Sequence, residues 1–273
     1  MSESNLLRAF NKIEETLQAE NHFVENGDSL KRSEENAKKR KSGHKFTLQD
    51  HIEWMVFAQL SNNRPWDPIA EHYTEIKENI FKNFDAETLK NTDWNEFCNA
   101  LCAISCGNRQ IKNQMMNLKH NIEVLESIEH ENGMGIDEYF TKYCKEHSAW
   151  ELACELSNPK SKYKLKYIGT ALACEYLRNA GFDIIKPDTH VCRILGYLGV
   201  GRNSPNEATA DEAYRACEEI AAQKDCSLRY VDAVLWQFCA EKGSDEDSEG
   251  AEICAKDKPQ CKKCLAKEYC RHV

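Results

Sequence analysis

The chain has 273 residues, of which 41% are hydrophobic and 30% are charged, and its formal net charge is −9. This charge argues against a protein that coats nucleic acid through its overall charge, and no apolar run approaches the roughly 18 residues of a membrane-spanning helix. The opening residues, MSESNLLRAFNKIEETL, are too polar for a secretory signal. We therefore expect an intracellular protein, in the cytoplasm and nucleoid or in the nucleus, with no membrane association.

The first predicted element is a helix in LLRAFNKIEETL, where apolar residues recur at helical spacing. Residues 20–45 lack that periodicity and include the basic run LKRSEENAKKRKSGHK, so they are interpreted as a linker. Thr47 and Asp50 then form the pattern of a capping box. This box predicts the start of a helix, TLQDHIEWMVFAQL, that ends before SNNRPWDP.

The middle of the chain continues as helix without an alternating pattern long enough to indicate a sheet, so the predicted fold class is all-α. The predicted helices here lie at roughly 69–83, 86–91, 93–104, 108–127, 136–145 and 148–156. The segment LKYIGTALACEYLRNAG then predicts a short turn at 166–169 and a helix to Asn179, with Gly181 suited to the end of that helix.

Three further helices are predicted towards the C-terminus. One starts at Pro187 or Asp188, because proline suits a first helical turn and an aspartate carboxylate caps the free N–H groups. A capping box at Thr209 and Glu212 opens TADEAYRACEEIAAQ. The third helix, RYVDAVLWQFCAE, leads into the acidic segment EKGSDEDSEGAE, which is interpreted as a solvated loop.

The fourteen cysteines fall into two groups. Ten lie between Cys98 and Cys239, mostly in apolar stretches, and are interpreted as buried core thiols. The spacing of the other four is C-x6-C-x2-C-x5-C, and the residues are Cys254, Cys261, Cys264 and Cys270. Four thiolates this close repel one another unless a cation or cluster neutralises them, so we predict a metal centre. Zinc and an iron–sulfur cluster both accept four thiolates, although zinc sites usually contain two C-x2-C pairs and this segment has one.

This cysteine spacing resembles the cluster-binding loop of the endonuclease III branch of the helix–hairpin–helix (HhH-GPD) DNA glycosylases, in which it ligates a 4Fe–4S cluster. HIEWMVFAQLSNN, ISCGNRQIKNQ, LKYIGTALA and IIKPDTHVCRI resemble segments of the same family in the same order, over roughly residues 46–273. The resemblance implies two helical lobes with a DNA cleft between them. A six-helix barrel with the helix–hairpin–helix would span 46–182. The iron–sulfur lobe would combine the first helix of 1–45 with 183–253 and the cluster loop 254–273.

The resemblance also implies a catalytic carboxylate, Asp188 in KPDTH. A carboxylate stabilises the positive charge that develops on the sugar during base excision, and it orients or deprotonates the attacking water. Asp188 also suits a helix cap, and the two roles are compatible. Bifunctional members of the family carry a Schiff-base lysine two residues after the last hairpin glycine, and counting from Gly169 that position is Ala171. The implied activity is therefore that of a monofunctional DNA glycosylase, which flips out a modified, damaged or mismatched base and hydrolyses its N-glycosidic bond.

The implied partner is double-stranded DNA, bound by a monomer. Tyr167 replaces the first hairpin glycine, and a side chain there limits the approach of backbone N–H groups to a phosphate. The expected DNA-binding residues are Lys162, Lys164, Lys166, Tyr167, Ile168 and Gly169 in the hairpin, and Asn62, Asn63 and Arg64 at the gap left by the flipped base. Candidates for the pocket wall are Trp54, Gln59 and Trp66, with core packing as the competing role for Trp54.

Two other functions fit the sequence. The first is a noncatalytic protein on the same fold that binds DNA damage or an unusual DNA structure, which Ala171 and Tyr167 favour. The second is a zinc-stapled helical protein with protein partners. No residue pattern identifies the base that a glycosylase of this kind would excise. The candidates are uracil, an alkylated purine, adenine opposite a lesion and a bulky modified pyrimidine.

Overall fold

The structure is a computed structural model that describes residues 4–22, 28–201, 207–240 and 250–272. Within these ranges the regular structure is helical and contains no strand, which confirms the predicted all-α class. None of the helices in this part of the chain is long and apolar enough to cross a membrane.

Fourteen α-helices follow one another along the described part of the chain. They are α1 (Asn5–Ala19), α2 (Asp28–Lys41), α3 (Leu48–Leu60), α4 (Asp67–Glu71), α5 (Ala86–Asn91), α6 (Trp94–Ala103), α7 (Ile111–Met116), α8 (Leu118–Asn132), α9 (Ile136–Glu146), α10 (Ala149–Ser157), α11 (Thr170–Asn179), α12 (Thr189–Tyr197), α13 (Ala210–Lys224) and α14 (Leu228–Cys239). Both predicted capping boxes form, at Thr47 with Asp50 and at Thr209 with Glu212.

The chain divides into two compact units. The terminal unit combines Met1–Glu35 with Asp183–Val273, and the central unit is Asn36–Phe182. The terminal unit contains α1 and α12 to α14, and the central unit contains α3 to α11.

In the terminal unit, α1 packs against α13 and α14, and α12 packs against the same two helices. Polar contacts fix α1 in place. The carboxylate of Glu14 accepts a hydrogen bond from the Tyr230 hydroxyl at 2.6 Å and pairs with the Lys224 ammonium at 2.7 Å. The Thr16 hydroxyl accepts a hydrogen bond from the backbone N–H of Leu265 at 3.1 Å. The first helix is therefore bonded to the segment that carries the last four cysteines.

In the central unit, α3 is almost entirely buried and packs against α5, α8, α9 and α11. A buried polar network crosses this core. His51 Nδ1 lies 2.8 Å from the Tyr176 hydroxyl and Nε2 lies 3.1 Å from Asp137 Oδ1, which also pairs with the Arg40 guanidinium at 2.6 Å. Burial lowers the pKa of His51. A neutral His51 donates a hydrogen bond from Nε2–H to the Asp137 carboxylate and accepts one at Nδ1 from the Tyr176 hydroxyl.

The prediction of a linker over residues 20–45 is wrong for most of its length, because α2 occupies this segment. Its C-terminal half is held by specific polar contacts within the central unit. Asn36 Nδ2 donates to the carbonyl of Asn179 at 2.8 Å, and the Arg40 guanidinium donates to the carbonyl of Ala180 at 2.8 Å. These partners are distant in sequence, so the local pattern of charge and periodicity does not reveal them.

Gly181 allows α2 to approach the end of α11. It follows the C-cap Ala180 with φ of +82°, a conformation that favours glycine. A Cβ atom at Gly181 would lie 2.6 Å from the backbone nitrogen of Ala37. The sequence predicted Gly181 as a helix terminator, and the structure adds that it permits this close backbone contact.

Two predicted helices are interrupted. The predicted helix at 69–83 is divided into α4, a π-helical turn (Glu75–Ile80) and a 3₁₀ turn (Lys82–Phe84), where residues 82–84 all have positive φ. The predicted helix at 108–127 is broken at Asn117 between α7 and α8.

The ten cysteines predicted to lie in the core are only partly buried as a group. All fourteen cysteines of the chain are free thiols. The fully buried members of the ten are Cys106, Cys174, Cys217 and Cys239. Cys102 is exposed, so the prediction is wrong for this residue, and the remaining five are half-buried.

Candidate functional site

Asp188 is the N-cap of α12. Its Oδ1 accepts hydrogen bonds from the backbone N–H groups of His190 at 2.9 Å and Val191 at 3.1 Å. Among the described residues Oδ2 has no hydrogen-bond partner, and the side chain is half-buried. The cap thus orients the carboxylate and leaves one oxygen available for a reacting group.

The segment before Asp188 is itself fixed. The backbone N–H of Lys186 donates to the buried carboxylate of Asp232 on α14 at 3.0 Å. The Cys192 thiol, one turn into α12, donates to the carbonyl of Pro187 at 3.5 Å. Burial, reinforced by the charge of Asp188, raises the pKa of Cys192 to about 12, so this thiol is a neutral packing group.

The four C-terminal cysteines line one cavity between α12, the end of α14 and the residues that follow Ile253. The walls of this cavity are mostly apolar, and the lining side chains include Ile194, Leu198, Phe238, Ile253, Pro259 and Ala266 besides Cys254, Cys261, Cys264 and Cys270. Across the described ranges, no three His, Cys, Asp or Glu side chains are grouped so as to hold a metal ion.

The thiols differ in their surroundings. Burial raises the pKa of Cys264 to about 11. The pKa of Cys254 is lowered because the thiol of Cys239 donates a hydrogen bond to it, while burial raises the pKa of Cys239 itself. The Arg193 guanidinium donates to the backbone carbonyl of Cys254 at 3.0 Å, and it lies 3.5 Å from that of Cys239. Sequence reasoning missed both Arg193 and Cys239. For Arg193 the sequence did contain a signal, because an arginine on the apolar face of α12 indicates a buried polar partner. For Cys239 it contained none.

The end of the chain is held against the C-terminus of α12. The backbone N–H of Arg271 donates to the carbonyl of Tyr197 at 2.8 Å, and the Tyr197 ring stacks on His272 with centroids 4.2 Å apart. Gly199 has φ of +87°, and a Cβ atom there would lie 2.5 Å from the Arg271 guanidinium. These contacts position the cysteine segment on α12, the helix that Asp188 caps.

The hairpin between α10 and α11 lies in the central unit, whereas Asp188 and the cysteines lie in the terminal unit. Leu165 and Ile168 are fully buried and anchor the turn. Asn121 on α8 accepts from the N–H of Lys166 at 2.7 Å and donates to its carbonyl at 3.0 Å. Gly169, the N-cap of α11, is exposed, and no atom lies within 4 Å of the place where a Cβ would be.

The three hairpin lysines differ in their surroundings. Lys162 pairs with the carboxylate of Glu131, and the Lys164 ammonium donates to the carbonyl of Ile168. Burial lowers the pKa of Lys164. Lys166 is exposed, and its ammonium has no partner among the described residues. Of the three, Lys166 is the most available to an external anion.

The residues predicted to meet the DNA gap follow α3. Asn63 is exposed with φ of +51°, and Asn62 is half-buried. The Arg64 guanidinium donates to the carbonyls of Gly107 at 2.9 Å and Ser105 at 2.7 Å. Arg64 therefore holds the loop between α6 and α7, a structural role that the sequence did not indicate.

The predicted pocket-wall residues have mixed environments. Gln59 is fully buried, and neither polar atom of its side-chain amide has a hydrogen-bond partner in the described structure. Trp54 is half-buried and packs edge-on against Phe46, with centroids 4.8 Å apart. Trp66 is half-buried and packs edge-on against Phe57 at 6.2 Å. Both tryptophans thus contribute to packing in the central unit.

Part of the chain is similar to a curated protein. A protein of Aquifex aeolicus (strain VF5) described as "8-oxoguanine DNA glycosylase/AP lyase" is 34% identical to this chain over 90 residues. The match covers 32% of this chain and 40% of the relative. No family model matches the chain, and no solved structure matches it. The likeness is therefore confined to less than half of either protein.

Proposed function

We propose that this chain is a DNA glycosylase that hydrolyses the N-glycosidic bond of a modified, damaged or mismatched base in double-stranded DNA. The observation that carries the proposal is the geometry of Asp188, a carboxylate fixed by two backbone N–H groups with Oδ2 left available. The name of the distant relative, a DNA glycosylase/AP lyase, supports the same class of reaction.

In this proposal Asp188 acts on the sugar and on water. Breaking the bond between base and sugar builds positive charge on the sugar, which a nearby carboxylate stabilises. Oδ2 also orients a water molecule and takes its proton as the water attacks the sugar. Because Oδ1 is fixed at the start of α12, the carboxylate needs little reorganisation during the reaction.

We further propose that the enzyme is monofunctional. Ala171, in the first turn of α11, occupies the position where the family resemblance places the Schiff-base lysine, and its side chain has no amine. The relative's name includes a lyase activity, and that activity is a property of the relative. A lysine acts as a nucleophile when its amine is neutral, and the hairpin lysine with a lowered pKa is Lys164. Its ammonium donates a hydrogen bond to the carbonyl of Ile168, within the hairpin itself. Borohydride treatment during the reaction tests this point, because a covalent protein–DNA adduct would reveal an amine nucleophile.

The four cysteines are proposed to ligate a 4Fe–4S cluster. Their thiols line one cavity with apolar walls, and their C-x6-C-x2-C-x5-C spacing resembles the cluster-binding loop of the glycosylase family. A bound cluster would supply a cross-link within the terminal unit. Anaerobically purified protein should contain iron and acid-labile sulfide, and stoichiometric zinc would contradict the assignment.

The hairpin is proposed to bind a phosphate of the DNA. Gly169 leaves open space at the N-terminus of α11, where backbone N–H groups and the helix dipole favour an anion. The exposed ammonium of Lys166 adds a positive charge beside it. Asn62 and Asn63 remain the candidates for filling the gap left by a flipped base, because Arg64 is bonded to the neighbouring loop.

A panel of duplexes tests the proposed activity. Each duplex would carry one modified or mismatched base, beginning with 8-oxoguanine because of the relative's name and continuing with uracil, alkylated purines and adenine mismatches. A monofunctional enzyme releases the base and leaves a strand that breaks only after alkali treatment. Breaks without alkali would contradict the monofunctional assignment. Tight binding without release from any duplex would point instead to a noncatalytic DNA-binding protein.

A further inference from the structure

Tyr167 stands at the tip of the hairpin in a backbone conformation that disfavours its side chain. The turn is closed by a hydrogen bond from the N–H of Ile168 to the carbonyl of Leu165 at 3.3 Å. Tyr167 is the third residue of this turn, and its φ is +57°. A positive φ at that position is typical of glycine, and an aromatic residue adopts it at a cost in free energy.

The surrounding contacts impose this conformation. Leu165 and Ile168 are fully buried on either side of the tip, and Asn121 holds both backbone polar groups of Lys166. The Lys164 ammonium is bonded to the carbonyl of Ile168. The turn therefore keeps the shape that a glycine would allow, although tyrosine occupies the position.

The side chain of Tyr167 makes no polar or aromatic contact among the described residues that would offset this strain. It is 47% exposed, one of the three exposed large hydrophobic side chains in the described structure. In the same part of the chain its ring makes no aromatic contact and its hydroxyl no hydrogen bond. An exposed aromatic side chain on a strained backbone indicates a role in binding.

The neighbouring groups indicate what the ring would meet. Lys166 adjoins it in sequence with an unpaired ammonium, and Gly169 opens the N-terminus of α11 two residues further on. Both favour a phosphate. A nucleic-acid strand with a phosphate at this position has sugars and bases on either side, and aromatic rings pack well against both.

We propose that Tyr167 binds nucleic acid directly, by packing its ring against a deoxyribose or base of the strand whose phosphate the hairpin binds. The inference rests on the proposed function and deepens it: besides the phosphate contact of the hairpin backbone, the DNA strand would contact the aromatic ring of Tyr167. The tyrosine is then an addition to the DNA-binding site and not a defect in it.

The test is DNA binding by the full chain, measured by fluorescence anisotropy at several salt concentrations on a duplex with a stable abasic-site analogue. Tyr167→Phe should bind within twofold of the wild type. Tyr167→Ala should lose about fivefold to 100-fold in affinity, as expected for a lost aromatic stack. The slope of log affinity against log salt should not change, because no charge is removed. Lys166→Ala should instead reduce that slope by about 0.9.

Tyr167→Gly separates binding from folding. Glycine relieves the strain, so this variant should melt at a higher temperature than the wild type. It should still bind DNA more weakly than Tyr167→Phe, because a closer approach of the backbone to the phosphate replaces only part of the lost ring contact. Met116→Ala is the matched control, because Met116 is 50% exposed and should leave affinity unchanged.

Two outcomes would overturn the inference. If wild type binds the duplex and Tyr167→Ala binds equally well, the ring makes no contact and only this inference fails. If wild type binds no duplex of any kind, the proposed function fails and this inference fails with it.

Discussion

Replacing Arg40 by methionine should destabilise the protein strongly, although the sequence around it looks like a linker. The guanidinium pairs with the carboxylate of Asp137 at 2.6 Å, and the Asp137 side chain is only 5% exposed. Breaking a buried pair by removing one partner costs about 3–5 kcal/mol. Asp137 would retain its contacts with His51 and with the backbone N–H of Phe46. We therefore expect the lower end of that range, a loss of about 3 kcal/mol in the free energy of unfolding.

Urea denaturation of the full chain, followed by circular dichroism, measures this loss. Methionine retains the apolar stem of Arg40, so the change isolates the guanidinium. Adding Asp137→Asn should recover part of the loss, with a coupling free energy of about 1–3 kcal/mol. Lys39→Met is the control, since Lys39 is exposed on the same helix and should change stability by less than about 0.5 kcal/mol. A loss below about 1 kcal/mol for Arg40→Met would refute the view that this network holds α2 in the central unit.

Three further predictions concern stability and the cysteines. Burial lowers the pKa of His51 below 6.5, so the unfolded state binds a proton on this residue more readily than the folded state does. The free energy of unfolding should therefore fall as the pH drops below about 6.5. The urea midpoint of His51→Gln should fall less steeply over the same pH range, because this variant lacks the imidazole. A midpoint that rises on acidification would contradict this. Gly199→Ala should reduce the free energy of unfolding by about 1 kcal/mol or more, seen as a lower melting temperature, because alanine is strained at a φ of +87°; an unchanged melting temperature would count against the strain. Cys264→Ser should reduce both soluble yield and bound iron, and a well-folded variant with full iron content would rule out its role as a ligand.

Features of the fold that depend on neighbouring residues were predictable from sequence. The capping boxes beginning at Thr47 and Thr209 form as predicted, because each uses residues three positions apart. The helix α2 was not predictable, because the partners of Arg40 are a carboxylate on α9 and a carbonyl after α11. Local composition there indicates only a charged, solvated segment.

In the candidate site, too, features that depend on residues close in sequence were predictable and features that depend on distant contacts were not. The four C-terminal cysteines lie close together in sequence, and their spacing alone predicted that they act together; the structure places all four around one cavity, and the metal centre stays a prediction. The thiol of Cys239 and the guanidinium of Arg193, which contact Cys254, come from α14 and α12 and have no comparable signal. At Tyr167 the sequence suggested a degraded turn. The structure instead shows the backbone conformation of a glycine turn, held by Asn121 and buried apolar anchors.

The central claim is that Asp188 does chemistry as well as capping a helix. Asparagine caps helices about as well as aspartate, so Asp188→Asn should fold and bind DNA within a few-fold of the wild type. Single-turnover base release from the duplex that the wild type processes should nevertheless fall by about 100-fold or more, because the carboxylate's charge and proton acceptor are gone. Asp211→Asn, a change at an exposed aspartate of α13, serves as the matched control. Release by Asp188→Asn within tenfold of the wild-type rate would contradict the account and leave Asp188 as a helix cap alone.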